Sequence, residues 1–403
     1  DLERLRSLER AVRWSYDLLS PEQQRAFRRL GVFSGGFSEE AAAQIALDGA
    51  PALPLLATFI DASLLLRSVQ PDGESRFGLL ESIRAFCLLE LQTQGEDEAI
   101  REAHTRYYLE LAAHAEPRLI VIGSAEWMRR LAVEHANLRA AVEWSLARHQ
   151  FEDVLALSGA LLSMAFAQGK PAESASWLER AIGLAGDTPT ALLSDARYTA
   201  SSLAQVQGDF VRSVDHASRA LDIAHAASYP FGEGRALLGL GISAEWSGDL
   251  DLAEERYLAA SAVMHTLDPS ARFSHWRVLP VANLADIALI RRDYREAIAL
   301  GSEAVTAWRE AGYLWGIAQA LGTVALVVPA ILARQRPERQ HGFLALGAQA
   351  AEDARAARRI AIERGIGEVV DAEARAVGDR GQQRLGVERG VAVQHPQLVE
   401  LLR

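Results

Sequence analysis

Apolar residues recur at helical spacing from the start of the chain. Leu5, Leu8, Val12, Tyr16 and Leu19 are separated by 3, 4, 4 and 3 positions, which sets them along one face of an amphipathic helix. A second helix is predicted from Ser20, whose hydroxyl can cap free backbone N–H groups, with Pro21 in the first turn and Gln23 completing a capping box. Gly31, Gly35 and Gly36 are expected to end it. Ser38 followed by Glu39 and Glu40 starts a third helix, with the acids at the positive end of its dipole. After Pro51 and Pro54 a short helix runs through Ile60. The pattern then becomes strand-like in LLLRSV, turns at QPDGES and resumes in RFGLL. Helices followed by a two-stranded hairpin predict a winged helix over residues 1–94. Its last helix starts near Leu80 and carries Leu80, Ile83, Cys87 and Leu91 on one face.

Beyond residue 100 the pattern is helical and alanine-rich, and it repeats. GDFVRSVDHASRAL at 208, GDLDLAEERYLAAS at 248 and RDYREAIALGSEAV at 292 align without gaps. An apolar residue follows each aspartate (Phe210, Leu250, Tyr294). A small residue comes four positions after it (Ser213, Ala253, Ala297), and alanine eleven after it (Ala220, Ala260, Ala304). On the helix before the turn, Ser201, Gly241 and Ala285 match in the same way. GKPAESASWLERAI at 169 fits more weakly, with Ala181 in the alanine position, so the steps are 39, 40 and 44 residues. Small residues at fixed offsets let paired helices approach closely, and each hairpin buries its apolar stripe only against the next. The predicted fold is mainly α: an N-terminal winged-helix module followed by a tetratricopeptide-like α-solenoid. Residues 95–165 form a helical linker and the start of the solenoid, 166–365 the repeats, and 366–403 an irregular tail with a short helix near PQLVELLR.

Composition narrows the function classes. The net charge of −11, from 53 acids and 42 bases, argues against a surface built to hold phosphate backbones. Residues 1–94 hold 10 bases and 13 acids. The helix that would enter a DNA groove, PLLATFIDAS, offers Leu55, Leu56, Phe59 and Ile60 with Asp61 as its only charge. That face suggests docking on protein. The dense basic cluster, Arg25, Arg28 and Arg29, lies on the preceding helix. Lys170, the only lysine, sits in QGKPA and makes no P-loop. HExxH and GxSxG motifs are absent, and no histidine has metal-ligand spacing. The expectation is a non-catalytic chain without a metal. Cys87, the single cysteine, reads as a buried thiol in a reducing cytoplasm. The longest apolar run, 321–333, is too short to span a bilayer. A chain that opens on Asp1 rather than methionine reads as a processed product or a piece of something longer.

WSYDLLSPEQQRAFRRLGVFSGGFSEEAA, LLATFIDASLLL and RFGLLESIRAFCLLEL resemble the winged-helix module that follows the nucleotide-binding domain in bacterial STAND regulators, which include LuxR-type and SARP-type proteins. WMRRLAVEHANLRAAVEWSLAR, at 127–148, resembles the segment joining that module to the family's tetratricopeptide sensor. The resemblance implies an ATP/ADP switch domain, a winged helix clamping it, and a superhelical arm whose ligand releases the clamp. GLLES aligns with the MHD-type motif of NB-ARC proteins, with Leu80 at the histidine and Glu81 at the aspartate. Leu80 offers no polar contact to phosphate, and this chain carries neither the switch domain nor a LuxR-type helix-turn-helix output.

The leading expectation is therefore a regulatory clamp and arm. ATP or ADP would bind only in a missing upstream domain, and the chain itself would hold no cofactor. Its partners would be that domain and, in the repeat groove, a protein, a peptide or a small inducer, without DNA or membrane contact through this region. First helices of each pair line the groove in such superhelices, which nominates Asp195, Tyr198, Ser202, Gln205, Arg235, Glu245, Trp246 and Asp286 as a polar wall with aromatic anchors. The alternative is a DNA-binding winged-helix transcription factor whose repeats dimerise.

Overall fold

The computed structural model describes residues 2–70, 73–119, 124–186, 188–267, 274–313 and 316–323. The expected repeats beyond 323, the tail at 366–403 and most of the apolar run at 321–333 lie outside the described residues. The chain divides into two compact units: residues 1–115 with 130–157, and residues 116–129 with 158–403. The expected boundary at 94 thus falls inside the first unit, and much of the 95–165 segment packs with it.

The first unit begins with α1 (Leu2–Asp17) and α2 (Pro21–Arg29). Val12 and Tyr16 turn inward, and Tyr16 meets the rings of Phe27 at 6.2 Å and Phe86 at 5.3 Å. The capping box forms: Gln23 N donates to Ser20 Oγ at 3.3 Å and Ser20 N donates to Gln23 Oε1 at 2.9 Å. Gly31 does not end the helix as expected. It sits in a 3-10 turn at Leu30–Val32 that continues α2, where a Cβ would fall 2.5 Å from the Cys87 Cβ. Only glycine permits that approach. Ser38 caps α3 (Glu39–Ala41), which widens into a π turn over Ala42–Ala46.

After α4 (Leu53–Asp61) come β2 (Leu66–Val69) and β3 (Ser75–Gly78), the expected hairpin. A two-residue strand that pattern reading missed, β1 (Phe37–Ser38), pairs antiparallel with β3 and completes a sheet of order β1-β3-β2. Two residues are too few to show alternation. Its Phe37 stacks on Phe33 at 4.4 Å and meets Phe77 at 6.1 Å. The unit continues through α5 (Glu81–Thr93) and α6 (Asp97–Ala115); α7 (Ser124–Val133) follows in the chain, and the unit's later part holds α8 (His135–Ala147) and α9 (Phe151–Ala156). Ile83, Cys87 and Leu91 are buried as expected. Leu80 is 51% exposed, because it precedes α5 in extended backbone and leaves the helical face.

Asn137 on α8 explains why these later helices belong to the first unit. Fully buried, it accepts from Ser34 N at 2.7 Å and donates to Gly36 O at 2.8 Å and Glu134 Oε2 at 2.7 Å. Arg76 of β3 adds a buried ion pair to Glu134 at 2.6 Å. His104 of α6 lies 3.2 Å from Asn137 Oδ1, and burial lowers its pKa to about 4, which keeps the ring neutral.

The second unit is built from helical hairpins. α10 (Ser158–Gln168) pairs with α11 (Pro171–Ala185), α12 (Ala191–Val206) with α13 (Phe210–Ala226), α14 (Pro230–Ser247) with α15 (Leu250–His265), and α16 (Ser274–Ile290) with α17 (Tyr294–Ala311). A helical segment at 316–323 packs Ile317, Ala320 and Leu321 against Trp308 and Val278. The repeat positions serve as the sequence predicts: Ser213, Ala253, Ala297, Ala220, Ala260, Ala304 and Ser201 are fully buried, and Ala285 is nearly so. At Gly241 a Cβ would sit 2.5 Å from the Tyr257 ring.

The repeated aspartates are N-caps. Asp209, Asp249 and Asp293 accept from Arg212 N, Leu252 N and Glu296 N at 3.0, 3.1 and 3.1 Å. The residue before each cap has positive φ, +76° at Gly208, +86° at Gly248 and +65° at Arg292, so the third turn asks of an arginine what glycine supplies in the others. Ala224, Met264 and Trp308, fifteen residues after the caps, form a further buried column. It escaped the pattern because its members differ so much in size.

Candidate recognition face and cleft

The nominated residues lie on first helices, and four of the eight, Asp195, Gln205, Arg235 and Asp286, bond to a neighbouring first helix. Asp195 accepts from Arg235 at 2.8 Å and from the Tyr229 hydroxyl at 3.0 Å. The Arg235 guanidinium lies over Tyr198 at 4.2 Å, Trp276 at 4.7 Å and Phe231 at 5.5 Å. Tyr198 and Arg235 are only 5% and 6% exposed, so these two brace the stack and present little surface to a ligand. Gln205 donates to Gly239 O at 3.0 Å and Ser243 Oγ at 3.1 Å. Asp286 accepts from Thr323 at 2.6 Å, beside a Gln319–Asn283 contact at 3.5 Å. Glu245 accepts from Tyr257 at 2.7 Å, and burial followed by that carboxylate pushes the phenol well above its ordinary range. Ser202 bonds back to Tyr198 O at 3.2 Å. Trp246, 38% exposed, stacks on Phe210 at 5.6 Å.

These bonds join α12 to α14 and α16 to the segment at 316–323, in a polar ladder across the first helices. Beneath it runs a chain of buried hydroxyls, Ser201 to Ser213 and Ser213 to Ser243, each at 2.9 Å. The sequence pattern marks the nominated residues but not the bonds they make, because partners 34 to 40 positions apart leave no local signal.

A second feature was not foreseen. Helices α11, α12 and α13 border an open cleft of about 390 Å³ lined by Glu179, Arg197, Arg212, Asp215, His216 and Arg219. Glu179 Oε1 accepts from Arg212 at 2.5 Å and from His216 Nε2 at 2.9 Å, and Arg197 reaches His216 Nδ1 at 3.4 Å. Arg219 pairs with Asp215 at 3.1 Å.

In the first unit, the basic cluster on α2 is engaged internally. Arg28 and Arg29 both bind Glu96, and Arg25 and Arg29 bind Asp48 at 2.5 and 3.1 Å. Burial would raise Glu96, but the two arginines hold its carboxyl below the ordinary value. On α4, Leu56 and Phe59 belong to the core at 1% and 0% exposure. The apolar face expected there for docking is therefore smaller than the sequence suggests, because two of its four residues close the module's own interior. Leu53, 54% exposed, Pro54 and Ala57 remain outward. Glu81, at the aspartate of the MHD-like motif, pairs with Arg84 at 2.7 Å.

No protein-family profile matches this chain. Relatives in Mycobacterium bovis and Mycobacterium tuberculosis, provisionally named HTH-type transcriptional regulators, are 28% identical over 267 residues, covering 62% of this chain and 29% of each relative. The matched region spans less than a third of those relatives' length. Among solved structures, BtubC from P. vanneervenii is similar at 17% identity and a TM-score of 0.41, over 63% of this chain and 91% of that one. A signal transduction ATPase with numerous domains and a tetratricopeptide repeat sensor, from Pyrococcus horikoshii, is similar at 14% identity and a TM-score of 0.39, over 92% and 64%. No helix among the described residues is long and apolar enough to cross a membrane.

Proposed function

We propose that this chain is the non-catalytic sensing and docking region of a bacterial transcription regulator of the signal-transduction ATPase type. The solenoid recognises a protein, a peptide or a small inducer. The N-terminal module acts as a winged-helix clamp on a nucleotide-binding switch domain, where ATP or ADP would bind. The likeness to relatives named as transcriptional regulators supports a regulatory role.

The observation that carries the docking half is the charge on the would-be reading helix. α4 presents no arginine or lysine, and the nearby α2 arginines are consumed by Glu96 and Asp48. A groove-reading helix needs donors aimed at bases and phosphates. Fluorescence anisotropy against genomic fragments at low salt tests the reading. Its expected result is no saturable binding. Tight, salt-dependent binding that is lost on substituting α4 would overturn it in favour of a DNA reader whose repeats dimerise.

A further inference from the structure

We infer that the cleft bordered by α11, α12 and α13 is a binding site for a small oxyanion, a carboxylate or phosphate group carried by a metabolite-sized ligand. As the seat of a regulatory ligand it rests on the sensing role proposed above. As an oxyanion site it stands on its own geometry.

Glu179 already plays the part of a bound carboxylate. Its Oε1 collects an Arg212 N–H at 2.5 Å and the His216 Nε2–H at 2.9 Å. Arg197, 9% exposed, faces His216 Nδ1 at 3.4 Å. That contact makes Nδ1 the acceptor and leaves the proton on Nε2, aimed at the oxyanion. Planar guanidinium forks suit carboxylate and phosphate oxygens, and bonds to charged partners are the strong ones.

The Glu179 side chain remains a third exposed, so it can swing outward and yield its donors to an incoming anion. The lining sets three arginines against two carboxylates, with Asp209, 4.0 Å from Arg212, as a third acid at its edge. Room for the ligand's body lies beside Gly183 and Gly186, where an added Cβ would meet no atom within 4 Å. The volume of about 390 Å³ falls in the range of small-molecule sites. One other feature favours cations here, the C-terminal end of α11 at Gly186. If the arginines answer only that dipole and the three acids, Glu179, Asp209 and Asp215, no external anion will bind.

Isothermal titration calorimetry of the full chain decides between these cases, using inorganic phosphate and, separately, citrate at fixed ionic strength, with chloride as the control. The expected result is saturable one-site binding of at least one probe, and the preferred probe separates a phosphorylated ligand from a carboxylic acid. Arg212→Gln and Arg219→Gln, both at half-exposed positions, weaken it about tenfold each, the equivalent of one charged hydrogen bond. Glu179→Gln strengthens it, because the internal competitor loses its charge, which a purely structural role would not do. No saturable heat from either the wild type or Glu179→Gln overturns the inference. Binding indifferent to both Arg212→Gln and Glu179→Gln overturns it equally. Neither result bears on DNA binding, so this site and the regulatory reading can fail separately.

Discussion

Arg235 of α14 lies 4.2 Å from the ring centroid of Tyr198 on α12, and the other side of its contact set is Trp276 of α16, at 4.7 Å. One guanidinium therefore touches the first helices of three successive repeats. Asp195 neutralises it at 2.8 Å, and Tyr198 and Trp276 meet edge to face at 5.7 Å. A flat, weakly hydrated cation fits between rings where a lysine ammonium would not. The ladder bonds of Gln205 and Asp286 extend the same linkage along the stack, and it is this linkage that gives the face of the first helices a fixed shape.

Removing that cation should weaken the solenoid. Arg235→Met is expected to cost about 3 kcal/mol, since it strands a mostly buried Asp195 and empties the aromatic box. Arg235→Lys restores the charge but recovers only part of the loss. Urea denaturation followed by far-UV circular dichroism measures both.

The first unit has its own keystone in Asn137. Asn137→Ala leaves the partly buried Ser34 N–H without its acceptor and the Gly36 carbonyl with only its Arg76 donor. The expected destabilisation is about 2–4 kcal/mol. A thermal melt with an unchanged midpoint would show that water replaces the amide without loss.

Arg292 offers a change in the opposite direction. It occupies a left-handed turn, at φ +65°, where the two preceding repeats use glycine. Arg292→Gly is expected to stabilise the chain by about 0.5–1 kcal/mol, and Gly248→Arg to destabilise it by a similar amount. Paired thermal melts test the two together.

Acid should loosen both units. Burial holds His104 at a pKa of about 4, and burial with the nearby Arg235 charge does the same for His275, against an ordinary value near 6.5. The unfolded chain therefore binds more protons between those values. The stability these rings contribute is complete above about pH 6.5 and is lost as pH falls toward 4, by up to about 3 kcal/mol for each. His104→Gln and His275→Gln should flatten the fall in melting temperature between pH 7 and 4.5.

Much of this was legible in the sequence because it rests on local rules. The Ser20 capping box, the Ser38 cap, the hairpin at 64–78 and the small residues at the helix crossings each follow from spacings of a few positions. What stayed hidden depends on partners far apart in the chain. β1 is two residues long and gains its identity only from Phe77 and Arg76 of β3. Asn137 shows no sign in its own helix that it will hold Ser34, 103 positions away. Tyr198 and Arg235 look like surface polar anchors on a helical wheel. Trp276, one repeat beyond Arg235 and two beyond Tyr198, helps to bury both. Leu56 and Phe59 read as an exposed docking face for the related reason that a short amphipathic helix does not say which side meets the core.

Hydrogen exchange read by mass spectrometry tests most directly whether the repeats are joined through their first helices. Arg235→Met should lower amide protection in α12 and α16 as well as in α14, because the side chain it replaces touches all three. Loss of protection confined to α14, with its neighbours unchanged, would contradict the account.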